Sequence, residues 1–351
     1  MSLSCRLRYG SMMLALVAAS CAPREVPVAV RIANALPAAS VQARAETAAV
    51  GTANADAADD PAIWRDPVDP ARSLIVGTDK KAGIYVYGLD GEVRDFARAG
   101  LVNNVALTRA ADGRTIVVAS DRNDPLRAKI AVFALDPAAA KLRPLGTADA
   151  GTGEAYGICT YQPPIVSGGS LAEVVSVLKG GEISLFRIAP DLTATRVRTW
   201  RVPTQAEGCV VDPVGGAVYV GEEDVGIWRF ALDRDGPGEL IARADGKQLV
   251  ADVEGLAIAF GAQRYLVASS QGDNAYAVYA LPEHRFVGRF RIADGRVGAT
   301  EETDGIELMT DNFGASYPDG LFIAQDGHNL PAAQNFKLVS WAEIKAALAL
   351  P

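Results

Sequence analysis

Short apolar segments separated by turn residues fill most of the chain. One stretch contains GLAIAF (255–260), YLVASS (265–270), YAVYAL (276–281) and FVGRFRI (286–292). Segments of this length with Asp-Gly, Gly-Gly or Pro turns between them are typical of antiparallel β-meanders. No amphipathic helical pattern of about 10–15 residues separates them, which disfavours a parallel α/β sheet.

An acidic or amide residue precedes an apolar segment six times. The six are Asp60, Asn104, Glu154, Glu207, Glu254 and Asp304, with spacings of 44, 50, 53, 47 and 50 residues. A repeat of this length indicates an all-β fold, a six-bladed β-propeller with four-stranded antiparallel blades around a central channel. First strands line such a channel, so the six side chains would form a ring around one mouth. Carboxylates held close together repel, so we expect the ring to hold a cation.

The ends of the chain complete this picture. The sixth unit lacks a clear fourth strand, and we expect the N-terminal segment to supply it and close the ring. Residues 22–54 show no period and are interpreted as a linker, with one strand near its end for this closure. The propeller domain is predicted over 55–351. Ser340 and Glu343 have the spacing of a capping box and predict a short terminal helix at 344–350.

The N-terminus predicts export. Arg6 and Arg8 precede an apolar run at 12–19 and then Ser20-Cys21, the pattern of a secretory signal over residues 1–21. Small residues before Cys21 also resemble a lipoprotein cleavage site, although Ala18 stands in place of the usual Leu. A periplasmic protein, an outer-membrane lipoprotein anchored through Cys21 and a secreted protein all fit this pattern, and plain export without lipidation remains the alternative.

Composition narrows the range of partners. The chain of 351 residues is 49% hydrophobic, enough for a sizeable core, and its formal net charge is −8. Without a basic stripe to neutralise phosphates, nucleic acid is excluded as a partner. Cys159 and Cys209 fall on predicted inner strands and are interpreted as buried, unpaired apolar residues, with a disulfide as the alternative.

A second register of charged residues follows the second strand of each unit. Its members are Lys80, Arg122, Lys179, Glu223, Gln271 and Asp326. Antiparallel strands place this register on the same face as the first ring, so one side of the mouth is cationic and the other acidic. Carboxylate and amide oxygens suit a hard ion such as Ca²⁺, and the only two histidines, His284 and His328, lie outside both registers. The three cations suit phosphate or sulfate groups.

Each motif also has a simpler interpretation. Asp59-Asp60-Pro61 is a common turn sequence, and Lys80-Lys81 is an ordinary solvated strand end. Recurrence at equivalent positions of six repeats favours a site over these separate explanations.

Several motifs together resemble the β-propeller phytases. They include ADAADDPAIW (55–64), GTDKKAGIYVY (77–87), EAYG (154–157), GEEDVGIW (221–228), ADVEGL (251–256), ETDGIE (302–307), GLFIAQDG (320–327) and QNFKLV (334–339). The resemblance runs in order over about residues 55–345. It implies a six-bladed propeller and a secreted, calcium-dependent phosphomonoesterase of the 3-phytase type. It also implies the substrate myo-inositol hexakisphosphate (phytate), taken as a calcium complex by a monomeric enzyme.

The resemblance also implies roles for individual residues. Several Ca²⁺ ions are expected on a set of oxygen ligands, with Gln271 on a more internal ion; the set is Asp59, Asp60, Glu207, Glu223, Asp252, Glu254, Gln271 and Asp304. Phosphate binding and catalysis are expected from Lys80, Arg122, Tyr156 and Lys179, together with Glu207 and Glu223. Two departures from the family pattern are Gly180, where a second charge is usual, and a short loop at 294–301, which puts one structural calcium in doubt.

These residues predict metal-assisted hydrolysis of a phosphate monoester, in which water attacks phosphorus in line and no covalent intermediate forms. Two alternatives stay open at this point. One is a calcium-dependent propeller lactonase or esterase, which the shortage of histidine and the three cations disfavour. The other is a non-catalytic propeller that binds an envelope ligand.

Overall fold

The computed structural model describes residues 26–53, 56–161 and 169–351. Within them the chain forms six antiparallel sheets of four strands, one of which gains a fifth strand, arranged as blades of a β-propeller. The predicted fold class is therefore confirmed. The predicted signal peptide and Cys21 lie outside the described residues. In the described part of the chain, no helix has the length and apolar character needed to cross a membrane.

Blades one to three follow the chain order from the channel outward. Their strands are β3 Ala58–Trp64, β4 Leu74–Asp79, β5 Gly83–Gly88 and β6 Val93–Arg98; β7 Val102–Arg109, β8 Thr115–Asp121, β9 Arg127–Asp136 and β10 Lys141–Thr152; β11 Ala155–Tyr161, β12 Ala172–Leu178, β13 Glu182–Ile188 and β14 Ala194–Arg201. The first strand of each blade packs against the first strand of the next, so β3, β7 and β11 line the channel.

Blades four to six repeat the arrangement. Their strands are β15 Ala206–Asp212, β16 Ala217–Glu222, β17 Gly226–Ala231 and β18 Glu239–Arg243; β19 Val253–Ala259, β20 Arg264–Ser270, β21 Ala275–Leu281 and β22 Arg285–Ala293; β23 Ile306–Met309, β24 Leu321–Asp326 and β25 Asn335–Ser340. The core lies between neighbouring blades, where apolar faces meet. Phe290 of blade five, for example, stacks on Tyr276 and packs edge-on against Phe322 of blade six.

The N-terminal segment closes the ring, as expected. Strand β2 (Ala45–Glu46) pairs antiparallel with β25 and supplies the missing outer strand of blade six. A second strand, β1 (Ala39–Gln42), adds to blade five in parallel with β22. Helix α1 (Val28–Asn34) precedes both. The stretch interpreted as a linker therefore carries a helix and two strands, because the strands are too short to show a period of their own.

A buried ion pair holds this closure. The Lys337 side chain is fully buried, and its ammonium contacts Glu46 of β2 and lies 3.2 Å from Asp326 Oδ2. Asn335 Nδ2 donates to Glu46 Oε2 at 3.0 Å. A buried ammonium without such partners would be strongly destabilising, so pairing of β2 helps blade six to bury Lys337.

The predicted C-terminal helix is present as α2 (Trp341–Ala347), but its predicted cap is not formed. The Ser340 side chain makes no capping hydrogen bond. Glu343 instead accepts hydrogen bonds from Arg44, beyond the end of β1, with Nη2 at 2.8 Å. The helix is held by burial of Trp341 and Ile344 against blades five and six rather than by a capping box.

The interpretation of Cys159 and Cys209 as unpaired residues is wrong. Their sulfur atoms form a disulfide between β11 and β15, the inner strands of blades three and four. The two residues are 50 positions apart, which is one repeat, so the blade spacing itself brings them together. The bond cross-links two strands that line the channel.

Removing the disulfide should lower stability without changing the fold. Closure of a loop of about 50 residues is worth roughly 4 kcal/mol in the chain-entropy account. We expect the double variant Cys159→Ser, Cys209→Ser to melt several degrees below the wild type in calorimetry. A reductant should lower the melting temperature of the wild type and leave the variant unaffected. Equal melting temperatures in non-reducing buffer would contradict a stabilising role.

Candidate active site

A bulge in the inner strands sets the geometry of the channel mouth. In blades one to five, the first strand contains one extra residue relative to the second strand with which it pairs. The extra residue lies near the start of the first strand. The bulge falls on a pair of residues in each blade, and a corresponding pair precedes β23. The six pairs are Asp59-Asp60, Asn103-Asn104, Tyr156-Gly157, Glu207-Gly208, Glu254-Gly255 and Asp304-Gly305.

The first residues of these pairs form the ring at the mouth. The structural ring is therefore Asp59, Asn103, Tyr156, Glu207, Glu254 and Asp304, four carboxylates with one amide and one phenol. Three of the predicted ring members are displaced from it. Asp60 and Asn104 are the second residues of their pairs, and Glu154 stands two positions before Tyr156. For Asp60 and Asn104 the error arises because a bulge breaks the alternation of side chains along a strand, whereas Glu154 lies just before β11 begins.

Glycine as the second residue lets adjacent inner strands approach. A Cβ atom on Gly157 would collide with the carbonyl oxygen of Glu207, and one on Gly208 would collide with that of Glu254. The same approach brings Gly255 N to 2.8 Å from Asp304 O. The backbones of the ring residues are thus packed against one another, which fixes where their side chains point.

Asp60 has a different position from its predicted one. Its Oδ2 accepts a hydrogen bond from Val105 N at 2.9 Å, which joins blade one to blade two below the mouth. Burial raises the pKa of Asp60 well above its usual value, and the neighbouring Asp59 raises it further. The structure thus gives Asp60 a contact with the next blade, and its neighbour Asp59 belongs to the ring.

The second register lies on the same face, as expected. The backbone N–H after each of five second strands donates to the carbonyl two residues before the ring residue; the donors are Lys80, Arg122, Lys179, Glu223 and Gln271. Asp326 does not belong to this set. It is the last residue of β24, is buried, and interacts with Lys337, while Gly327 follows it at the mouth.

Lys80 stands among the carboxylates rather than apart from them. Its ammonium donates to Asp304 Oδ2 at 2.7 Å, lies 3.4 Å from Asp59 Oδ1, and contacts Asp56. Gln271 Nε2 donates to the other oxygen of Asp304 at 2.6 Å. Lys80 therefore acts as an internal counter-ion for the blade-one and blade-six side of the ring.

The other two cations flank Tyr156. The Arg122 guanidinium lies 5.1 Å from the ring centre of Tyr156, and Lys179 Nζ lies 4.8 Å from it. Arg122 also forms an ion pair with Glu154 and donates to Asn103 Oδ1 at 2.5 Å. Tyr156 therefore holds two cations in place at blades two and three.

The acidic side is formed by blades four and five. Oxygen atoms of Glu207, Glu223 and Glu254 lie within 4.8 Å of one another. Glu223 accepts a hydrogen bond from Gln205 Nε2 at 2.6 Å, and Asp252 lines the same cavity. The cavity has a volume of about 830 Å³ and is also lined by Lys80, Tyr156, Gln271 and Asp304.

Burial and mutual repulsion disfavour the charged forms of these acids. Burial raises the pKa of Glu207 well above its usual value, and Asp59 and Asp304 raise it further. Burial likewise raises the pKa of Glu254 well above its usual value, and repulsion from Glu207 is the largest electrostatic contribution. Burial raises the pKa of Asp59 to about 7 despite the opposing effect of Lys80. A bound cation would reverse each of these effects.

The donor set fits a hard divalent ion. Asp59 Oδ2 and Glu254 Oε2 are buried without a hydrogen bond, and Asp59 Oδ1 has the Lys80 ammonium at 3.4 Å but no hydrogen bond. Buried polar atoms in native proteins are normally satisfied, so these oxygens call for a partner such as a metal ion. All of the converging ligands are oxygen atoms, which suits Ca²⁺ or Mg²⁺ and not zinc or copper.

Comparison with known proteins now decides the family. A family model described as Phytase matches residues 10–350. A curated 3-phytase of Bacillus subtilis (strain 168) is 37% identical over 326 residues, which cover 87% of this chain and 84% of that protein. The chain belongs to the phytase family. It is accordingly a phosphoric monoester hydrolase, and the resemblance stated from the sequence motifs is confirmed.

In this member of the phytase family, the structure adds polar residues that the sequence did not reveal. Asn103 Nδ2 donates to Glu207 Oε1 at 2.8 Å and so links Arg122 to the acidic side. Gln205 orients Glu223, and Gln325 Oε1 accepts a hydrogen bond from Asp304 N at 2.8 Å. Sequence position could have indicated Gln205. It stands two residues before Glu207, just as Asp252 stands two residues before Glu254.

Stability without metal should fall as the pH rises. Carboxylates with raised folded-state pKa values bind more protons when folded, so the folded state loses stability from about pH 4 through pH 7. The raised pKa of Lys80 acts only above its ordinary value of 10.5, outside this window. In EGTA we therefore expect a lower melting temperature at pH 8 than at pH 5. Added Ca²⁺ should raise it strongly at pH 8 and little at pH 5, whereas equal effects at both would exclude the carboxylates as ligands.

Proposed function

We propose that this protein hydrolyses phosphate monoesters of phytate in a Ca²⁺-dependent reaction, releasing inorganic phosphate and lower inositol phosphates. Membership of the phytase family supports it, as does similarity to a protein named as a 3-phytase. The observation on which the proposal rests is the division of the channel mouth into an acidic side and a cationic side. Converging carboxylates of blades four and five stand in one cavity with Lys80, and Arg122 and Lys179 stand on Tyr156 beside them.

Each side of the mouth has a separate task in this proposal. The ligands Glu207, Glu223 and Glu254 hold divalent cations, with Asp59, Asp252 and Asp304 around them. Ca²⁺ held by these residues would supply charge neutralisation for the phosphate and would lower the pKa of a water molecule. A net-negative protein can then accept a polyanion, because the ions reverse the sign of the acidic side.

The cations orient the substrate. Arg122 and Lys179 bind phosphate oxygens by charge-assisted hydrogen bonds, and Lys80 stabilises the negative charge that develops on the transferring group. Lys80 would exchange part of its contact with Asp59 and Asp304 for phosphate oxygens once cations take over those carboxylates. Asn103 keeps Arg122 in register with Glu207, so the two halves of the site stay at a fixed separation.

Three predicted properties stay predictions. Export is predicted from the N-terminal pattern of residues 1–21. Lipidation at Cys21 and the monomeric state are likewise expectations from the sequence. We propose an exported, monomeric enzyme on these grounds.

Phosphate release from phytate tests the proposed function directly. The purified mature protein should release phosphate with added Ca²⁺ and lose nearly all activity in EGTA, with recovery when Ca²⁺ is restored. Full activity after removal of metal would contradict the proposal. Mg²⁺ at the same concentration is the matched control, and equal activation by Mg²⁺ would count against calcium as the resident ion.

The variant Lys80→Ala, Arg122→Ala separates this activity from the alternatives. Loss of transition-state and phosphate contacts should lower kcat/KM for phytate at least about 100-fold. Circular dichroism and a thermal melt in Ca²⁺ check that the fold is kept. Unchanged phosphate release would exclude the cationic side from the reaction. A lactone-hydrolysing or ligand-binding activity that the double change leaves intact, in a protein that releases no phosphate from phytate, would favour the alternatives.

A further inference from the structure

Helix α1 lies at the mouth of the catalytic cavity although it belongs to none of the six blades. Val28, Arg31 and Asn34 of α1 line the cavity together with Glu223 and Asp252. No residue of α1 is fully buried, so packing in a core does not explain its position. The helix forms one wall of the site.

Polar contacts around residues 34–36 hold the helix there. Lys247 Nζ donates to Asn34 O at 2.5 Å, and Leu36 N donates to Lys247 O at 2.9 Å. Arg289 Nη1 donates to Leu36 O at 2.9 Å, and its Nη2 donates to both oxygens of the buried Asp273 at 2.6 Å. Asp273 ends the 3₁₀ turn that begins with Gln271, so α1 is tied to the part of blade five that bears a site residue.

The charge of the cavity wall makes Arg31 distinctive. Among the described residues, eight carboxylates line this cavity, and Arg31 and Lys80 are its two cations. Lys80 belongs to blade one, while Arg122 and Lys179 belong to blades two and three. Arg31 reaches the cavity from the side of blade five, which lies across the ring from blade two.

We propose that Arg31 is a substrate-binding residue that holds a phosphate remote from the bond being broken. This inference rests on the proposed function. Phytate carries phosphates all around its ring, and the cations of blades one to three reach only one side of it. On the other side the charged lining residues are mostly carboxylates, whose charge bound Ca²⁺ would offset, and Arg31 adds a guanidinium there that is suited to bidentate phosphate binding.

The inference makes α1 a determinant of specificity. A substrate with many phosphates benefits from Arg31, whereas a substrate with a single phosphate is held by the cations of blades one to three alone. Arg31 is therefore expected to act on binding and not on the chemical step.

Steady-state kinetics of Arg31 variants tests this assignment. Arg31→Gln, which removes the charge at similar length, should raise KM for phytate about 5- to 30-fold with kcat within two-fold, the range of one charge-assisted hydrogen bond. Arg31→Lys should recover part of the loss. The increase should shrink in high salt and disappear for a simple monophosphate ester. Val30→Ala, an exposed position on the same helix, is the matched control and should leave KM unchanged.

Binding of an inert analogue separates this inference from the proposed function. Titration calorimetry with myo-inositol hexakissulfate should show weaker binding to Arg31→Gln than to the wild type by a similar factor. If the wild type releases phosphate and both variants match it in KM and in binding, the role of Arg31 is wrong while the function stands. If Val30→Ala weakens binding as much as Arg31→Gln, the effect is structural and the assignment is also wrong. If the wild type releases no phosphate from phytate, the proposed function fails and the inference with it.

Discussion

Electrostatic repulsion among carboxylates at the channel mouth is the constraint on which the rest of the structure depends. Asp59, Glu207, Glu254 and Asp304 point into one ring, and burial raises the pKa values of the first three. The Lys80 ammonium lies between Asp59 and Asp304 and neutralises part of this charge. The remaining negative charge supports the proposal that the site binds divalent ions.

A ring of like charges stays in place only if the scaffold around it is rigid. The bulges aim the six side chains, and the glycines behind them let neighbouring backbones touch. The Cys159–Cys209 disulfide cross-links two inner strands, and β2 closes the ring through Glu46 and Lys337. The disulfide and the β2 closure lie outside the cavity and still serve it, because each limits the outward movement that would relieve the repulsion.

Much of the fold and of the site was predictable from the sequence, for a physical reason. A repeat near 50 residues with short strands is compatible with few architectures, and residues such as Lys80, Glu207, Glu223 and Glu254 fall in register once the repeat is recognised. The predictions that failed concern the local geometry of single residues and pairs of residues. The bulge adds one residue, so the prediction puts Asp60 and Asn104 where Asp59 and Asn103 stand; Glu154, two residues before Tyr156, lies just ahead of β11 and is a separate error. The disulfide and helix α1 depend on which strands become neighbours, and no local pattern encodes that.

Calcium titration of the metal-stripped protein tests the central claim most directly. The isosteric variant Glu254→Gln removes one charge from the ring and keeps the side-chain volume. The account predicts that calorimetry will show Ca²⁺ binding to the wild type, and that Glu254→Gln will lose at least one bound ion or weaken it at least about ten-fold. Identical stoichiometry and affinity in the two proteins would contradict the claim that these carboxylates gather the ions.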